Sequence, residues 1–144
     1  MNDKVSEQDS QQNDDQHNEE VEANNSANLL QFWHRKKLPI IQQSEATECG
    51  LASLAMVAGY YGYQTDLPSM RAQFSVSMQG TTLLDIMGFA EKLALTSRPL
   101  KLELEDLSEL QTPCILHWDL NHFVVLKSVK GNKVVIHDPA QGGG

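Results

Sequence analysis

Residues 43–61 of the chain read QSEATECGLASLAMVAGYY, in which a polar loop runs into a long apolar segment. Apolar side chains in this segment recur three and four residues apart, which predicts a helix that begins near Cys49 and ends at Gly62. The first backbone N–H groups of a helix have no partner within the helix and favour a thiolate over a thiol. The segment therefore predicts a reactive cysteine at a helix N-terminus.

Two shorter helices and then a sheet are predicted further along the chain. Asp66 is suited to cap the second helix, and the segment from Thr82 to Asp85 resembles a capping box at the start of the third. The pattern then changes to alternating or fully apolar runs, which predicts strands over 95–102, 114–118, 122–129 and 133–137. The segment from Lys130 to Lys133 is typical of a tight hairpin turn. Helices followed by a sheet indicate an α+β fold.

A histidine and a carboxylate follow Cys49 in an order that suits a cysteine peptidase. His122 opens one predicted strand and Asp138 closes the next, so the chain order is Cys, His, Asp where papain-like peptidases have Cys, His, Asn. Such a site needs its cysteine on a helix packed against the sheet that holds the base, and the predicted layout has both parts. His122 and Asp138 can hydrogen-bond across the hairpin if they lie near the same end of it, a pairing that a bulge would alter. We predict Cys49 as nucleophile, His122 as base and Asp138 as the group that orients the imidazole.

Gln43 is the fourth candidate. It lies on the loop before Cys49, where its side-chain amide can stand beside the Cys49 backbone N–H. Preorganised donors of this kind stabilise the oxyanion in acyl transfer. Taken singly, each candidate has a plainer interpretation: Cys49 as a buried core residue, His122 as a strand-end histidine and Asp138 as a turn residue. The combination is a stronger signal than any one member.

The composition argues against several other classes of protein. Residues 1–28 hold eight acidic side chains against one lysine and no leucine, phenylalanine, tyrosine or tryptophan, which predicts a disordered acidic tail. The remainder has eleven acidic and ten basic residues and shows no footprint for nucleic acid. No apolar run reaches the length of about 18 residues that a membrane span needs. Zinc binding by Cys114, His117, His122 and His137 is disfavoured, because their spacing fits no paired ligand motif.

Several motifs in matching order over about residues 38–142 carry a resemblance to a known family. They are Gln43 with Cys49-Gly50-Leu51-Ala52, Gly80-Thr81-Thr82, Pro113-Cys114-Ile115-Leu116-His117-Trp118, Asn121-His122-Phe123-Val124-Val125-Leu126 and His137-Asp138-Pro139-Ala140. Together they resemble the bacteriocin-processing cysteine peptidases. These are N-terminal domains of peptidase-containing ABC transporters.

The resemblance implies a papain-like peptidase domain over residues 38–144 as the N-terminal part of a longer exporter. The apolar and basic residues over 29–37 predict a linker or short helix before it. Family members cut a precursor peptide after a double-glycine-type leader, and the attached transporter exports the product. Cys49, His122 and Asp138 match the family's triad, and Gln43 matches its oxyanion donor.

The same resemblance implies partners and a location. The expected partners are a precursor peptide with a double-glycine leader and the exporter's transmembrane and nucleotide-binding domains. No cofactor is expected for the peptidase step, and ATP and magnesium are expected only at the nucleotide-binding domain. The segment is expected to lie at the cytoplasmic face of the bacterial inner membrane and to be soluble in isolation.

Two other functions stay open on the sequence. A non-catalytic substrate-docking domain of a type I secretion exporter would share the fold, although Cys49, His122 and Asp138 together argue against it. A cysteine acyltransferase would use the same triad with a different acceptor. The products formed from a leader peptide separate the three functions.

Overall fold

The computed structural model of the chain describes residues 36–119 and 122–143. The predicted acidic tail over 1–28 and nearly all of the predicted linker over 29–37 lie outside the described residues. None of the helices in the described part of the chain is long and apolar enough to cross a membrane.

Within residues 36–119, three α-helices precede the sheet, and each was predicted. They span Cys49–Tyr60 (α1), Leu67–Gln73 (α2) and Leu83–Lys92 (α3). A single 3₁₀ turn over Ala46–Glu48 leads into α1. The Asp66 carboxylate caps α2 by accepting from the Ser69 N–H at 2.8 Å. Thr82 and Asp85 form the predicted capping box at the start of α3.

Four antiparallel strands form one sheet in the order β1-β2-β3-β4. They span Cys114–Trp118 (β1), His122–Lys130 (β2), Lys133–Asp138 (β3) and Gly142–Gly143 (β4). The hairpin turn predicted between β2 and β3 is present, with Gly131 in the left-handed conformation at φ 56°. β4 was not predicted; it pairs with the end of β3, where Gly142 lies opposite Asp138.

The prediction of a strand over residues 95–102 is wrong. Residues 95–103 have no regular secondary structure, and a 3₁₀-helix over Leu104–Glu109 follows them. Leu100 and Leu104 are 54 % and 67 % exposed. This segment alternates apolar and polar residues but does not pair with any strand of the sheet. A segment with such a pattern does not form a β-strand without a neighbouring strand.

The central helix α1 fills the core. Every residue from Cys49 to Gly59 is buried, as expected for a helix that is covered on all sides. One side of α1 packs against α2 and α3 in a cluster that includes Leu51, Leu54, Ala55, Met70, Phe74 and Ala90. The other side packs on the sheet: Met56 and Val57 contact Val125, and Cys49 clusters with Phe123. The N-terminal end of α1 therefore lies beside the N-terminal end of β2.

Candidate active site

A histidine and an aspartate form a hydrogen bond between neighbouring strands. His122, the first residue of β2, donates from Nε2 to Asp138 Oδ1, the last residue of β3, at 2.8 Å. The same carboxylate oxygen accepts from the Ala140 backbone N–H at 2.9 Å. Because Nε2 faces the carboxylate, Nδ1 is the ring nitrogen left for proton transfer to another group. The hydrogen bond predicted between these two side chains is confirmed.

A β-bulge at Lys127 places the pair on one face of the sheet. The pairs between the bulge and the turn are Lys130–Lys133, Val129–Val134 and Ser128–Val135, and those beyond it are Leu126–Ile136 and Val125–His137. Directly paired residues share a face of the sheet, and successive residues alternate. The register at the turn, continued without the bulge, would pair Asp138 with Val125, on the face opposite His122. With the bulge, continuing one residue beyond the Val125–His137 pair places Asp138 opposite Val124, on the face of His122.

Cys49 is the first residue of α1, as predicted, and is 4 % exposed. It packs with Ile86 and with Phe123, the residue that follows His122 in β2. The helix start is packed closely at the next position, because a Cβ on Gly50 would lie 2.3 Å from Thr81 Oγ1. Glycine permits this approach.

Gln43 is joined to the same region through its backbone. Its N–H donates to the Pro139 carbonyl at 2.9 Å, directly after Asp138 in the chain. Its side-chain Oε1 is buried and has no hydrogen-bond partner among the described residues. His122 thus contacts Asp138 directly. Gln43 contacts Pro139, the chain neighbour of Asp138. Cys49 packs against Phe123, the chain neighbour of His122.

An ion pair that the sequence did not predict lies next to the cysteine. Glu48 is 5 % exposed, and Arg71 on α2 donates to it from Nε and Nη2. The Arg71 hydrogen bond lowers the pKa of the Glu48 carboxyl; backbone N–H groups of Glu45 and Ser44 act in the same direction, and burial opposes them. The sequence did contain a signal for this pair. Glu48 is an acidic residue where the loop meets a helix predicted to be buried, and a buried charge needs a partner.

Cys114 and His137 differ from Cys49 and His122 in their surroundings. Burial raises the pKa of the Cys114 thiol, which favours its protonated form. His137 is buried, and its Nδ1 lies 3.0 Å from the Pro39 carbonyl. Across residues 36–119 and 122–143, no group of three or more histidine, cysteine, aspartate or glutamate side chains is arranged to hold a metal ion.

A helix that begins with a cysteine and packs on a sheet carrying a histidine–aspartate pair is typical of the papain-like class of fold. Two solved structures share it. A double glycine motif protease from an AMS/PCAT transporter, in complex with the leader peptide, is 43 % identical, with a TM-score of 0.69 over 76 % of this chain and 79 % of that one. The peptidase domain of Streptococcus ComA, a bifunctional ABC transporter involved in quorum sensing, is 29 % identical, with a TM-score of 0.66 over 75 % and 85 %. The predicted α+β, papain-like fold is confirmed.

The sequence model of the Peptidase C39 family matches residues 37–143, and the chain belongs to this family. It is 52 % identical over 115 residues to the Escherichia coli colicin V secretion/processing ATP-binding protein CvaB. It is 51 % identical over 115 residues to the probable microcin-H47 secretion/processing ATP-binding protein MchF. These matches cover 80 % of this chain and 16 % of each relative. The resemblance drawn from the motifs is confirmed.

Proposed function

We propose that this domain is a cysteine endopeptidase that removes a double-glycine-type leader from a bacteriocin- or microcin-like precursor peptide. The observation that supports it most is the His122–Asp138 hydrogen bond at 2.8 Å, at the end of the sheet where α1 begins with Cys49. A domain that only docked substrate would have no need of this pair. Membership of the Peptidase C39 family supports the same activity.

The first half of the reaction forms a thioester. His122 takes the Cys49 proton, and the thiolate sulfur attacks the carbonyl carbon of the residue before the cut. The oxyanion that forms accepts hydrogen bonds from the Gln43 side-chain amide and the Cys49 backbone N–H. His122 then passes its proton to the leaving nitrogen as the C–N bond breaks, and the mature peptide departs with a new amino terminus.

The second half regenerates the thiol. Water attacks the thioester carbonyl carbon while His122 accepts a proton from the water. The C–S bond breaks, the leader departs as a carboxylic acid, and the proton returns to Cys49. Asp138 holds the imidazole through Nε2 in both halves, so that Nδ1 serves the reacting groups.

The partners follow from the relatives. CvaB and MchF are secretion/processing ATP-binding proteins, and this chain corresponds to 16 % of their length. We infer that it works beside the transmembrane and nucleotide-binding domains of an exporter at the cytoplasmic face of the inner membrane. ATP and magnesium are used at the nucleotide-binding domain, and the peptidase step uses no cofactor. A groove of about 680 Å³, in which polar residues outnumber apolar ones but which includes Val76 and the 96 % exposed Met78, is a candidate docking surface for the leader.

The experiment that tests this function compares two cysteine variants on a synthetic leader peptide. Cys49→Ala should release no leader acid while it still binds the peptide, because only the covalent step is lost. Cys114→Ala is the matched control and should cleave normally. Mass spectrometry of the products separates the alternatives: a transfer product would indicate an acyltransferase, and unchanged peptide with wild-type protein would indicate a docking domain.

A further inference from the structure

A buried carboxylate directly precedes Cys49 in the chain. Glu48 is 5 % exposed. Its Oε2 accepts from the backbone N–H groups of Ser44 at 2.9 Å and Glu45 at 3.0 Å. Arg71 donates from Nε to Oε1 and from Nη2 to Oε2, the latter at 3.2 Å. A buried charge is stable only when it is paired in this way, so the carboxylate ties the loop before Cys49 to helix α2.

These bonds hold the backbone on both sides of Gln43. The Gln43 N–H donates to the Pro139 carbonyl at 2.9 Å, and the N–H of the next residue, Ser44, donates to Glu48 at 2.9 Å. The direction in which the Gln43 side chain leaves the backbone is therefore fixed at both flanking peptide groups. Its Oε1 is buried without a hydrogen-bond partner among the described residues, so no bond at that oxygen orients the amide.

We propose that Glu48 and Arg71 are positioning residues for the oxyanion donor Gln43, an inference that rests on the proposed peptidase function. Arg71 holds Glu48, Glu48 holds the Ser44 peptide group, and that group with Pro139 holds the Gln43 backbone. Glu48 and Arg71 thus act through Gln43. A misplacement of about 1 Å in a catalytic group costs on the order of 10²-fold in rate.

Both side chains also line the groove that includes Met78. A role in holding the leader peptide would raise KM, whereas a role in orienting Gln43 lowers kcat with KM unchanged. The division of the effect between kcat and KM therefore distinguishes the two roles.

The test is Glu48→Gln in the full chain. Glutamine offers one acceptor oxygen in place of two, and its NH₂ group would face either the Arg71 guanidinium or the loop N–H groups. We expect kcat for a synthetic double-glycine leader peptide to fall about 10- to 100-fold, with KM within about threefold of wild type. The matched control Glu91→Gln removes an exposed carboxylate on α3 and should change neither constant.

Two further readouts separate positioning from general damage to the site. Alkylation by iodoacetamide forms a bond from the Cys49 sulfur to a methylene carbon as iodide leaves, and no tetrahedral oxyanion arises. Its rate should therefore be unchanged in Glu48→Gln. Glu48→Gln combined with Gln43→Ala should be no slower than Gln43→Ala alone, because both changes affect the same donor.

Several outcomes would overturn the inference: a rise in KM with normal kcat, a parallel fall in the alkylation rate, or full additivity with Gln43→Ala. If Glu48→Gln fails to fold, Arg71→Met supplies the same test, since Glu48 keeps its two backbone donors, and Arg71→Lys should recover part of the loss. Failure of the proposed function looks different. In that case the wild-type protein would release no leader acid, or Cys49→Ala would still release it.

Discussion

Replacing Asp138 by asparagine should reduce activity only modestly. Asp138 Oδ1 accepts two hydrogen bonds, from His122 Nε2 at 2.8 Å and from the Ala140 N–H at 2.9 Å. An asparagine oxygen in that place keeps both. If the asparagine amide were flipped, its NH₂ group would face two donors, His122 Nε2 and the Ala140 N–H. The Ala140 N–H therefore favours the side-chain orientation in which the asparagine oxygen still accepts from His122.

The size of the loss follows from the charge that is removed. Hydrogen bonds to charged groups contribute about 1.5–3 kcal/mol and neutral ones about 0.5–1.5 kcal/mol, a difference of about 1–1.5 kcal/mol. At 1.36 kcal/mol per tenfold, kcat/KM should fall roughly 5- to 13-fold. The corresponding change in Ser-His-Asp triads costs about 10⁴-fold, because the amide there selects the wrong tautomer.

The assay is leader-peptide cleavage at one fixed pH, with thermal unfolding followed in parallel to confirm that each variant is folded. His122→Ala removes the base and should lose about 10²–10⁴-fold. Asp138→Ala should fall between the two, since it leaves the imidazole without an acceptor. A loss of more than about 10³-fold for Asp138→Asn, or a larger loss than for His122→Ala, would refute the Ala140 argument.

Three further predictions follow from the same geometry. Gly50→Ala should lower the free energy of unfolding by about 1–3 kcal/mol, because the new Cβ would lie 2.3 Å from Thr81 Oγ1 on a stiff β-branched side chain; Gly88→Ala, which meets nothing within 4 Å, should be neutral or stabilising in the same urea titration. The lowered Glu48 pKa means that this carboxylate stabilises the fold above its unfolded pKa and loses that contribution as pH falls. The difference in unfolding free energy between wild type and Glu48→Gln should therefore narrow below the ordinary glutamate value of 4.5, and a constant difference would count against the ion pair. A leucine at either of the two positions before the cut should reduce kcat/KM by on the order of 10²-fold, since displacing the scissile carbonyl by about 1 Å has that effect; unimpaired cleavage would argue against a narrow cleft.

Local signals account for the parts of the fold that the sequence predicted. α2 and α3 begin at side chains that cap them, and α1, which has no side-chain cap, has a continuous apolar periodicity, so none of the three predictions depended on distant residues. The failed strand over 95–102 shows the opposite case, because a strand also needs a partner that local alternation does not supply. β4 was missed since two glycines have no side-chain pattern.

The candidate site also has a part that the sequence predicted and a part that it did not. Chain order and residue type predict Cys49, His122, Asp138 and Gln43 as site residues, because the chemistry of each is evident from its residue type. Glu48 and Arg71 are 23 positions apart, and nothing local pairs them. The bulge at Lys127 was also invisible, since no glycine or proline marks it in β2.

The bulge at Lys127 decides how a change in the length of β2 affects the His122–Asp138 pair. Removing Lys127 would abolish the bulge and leave Val124 opposite Asp138, so His122 would keep its face. Removing one residue between His122 and Lys127 while the bulge stays would turn His122 to the face opposite Asp138. When related chains are aligned, a one-residue gap inside this strand therefore has to be considered together with the bulge, because a chain that loses the bulge keeps the pair and a chain that keeps the bulge does not. A peptidase of this fold can lose its histidine–aspartate pair through a one-residue deletion that touches neither residue, provided that the bulge is kept.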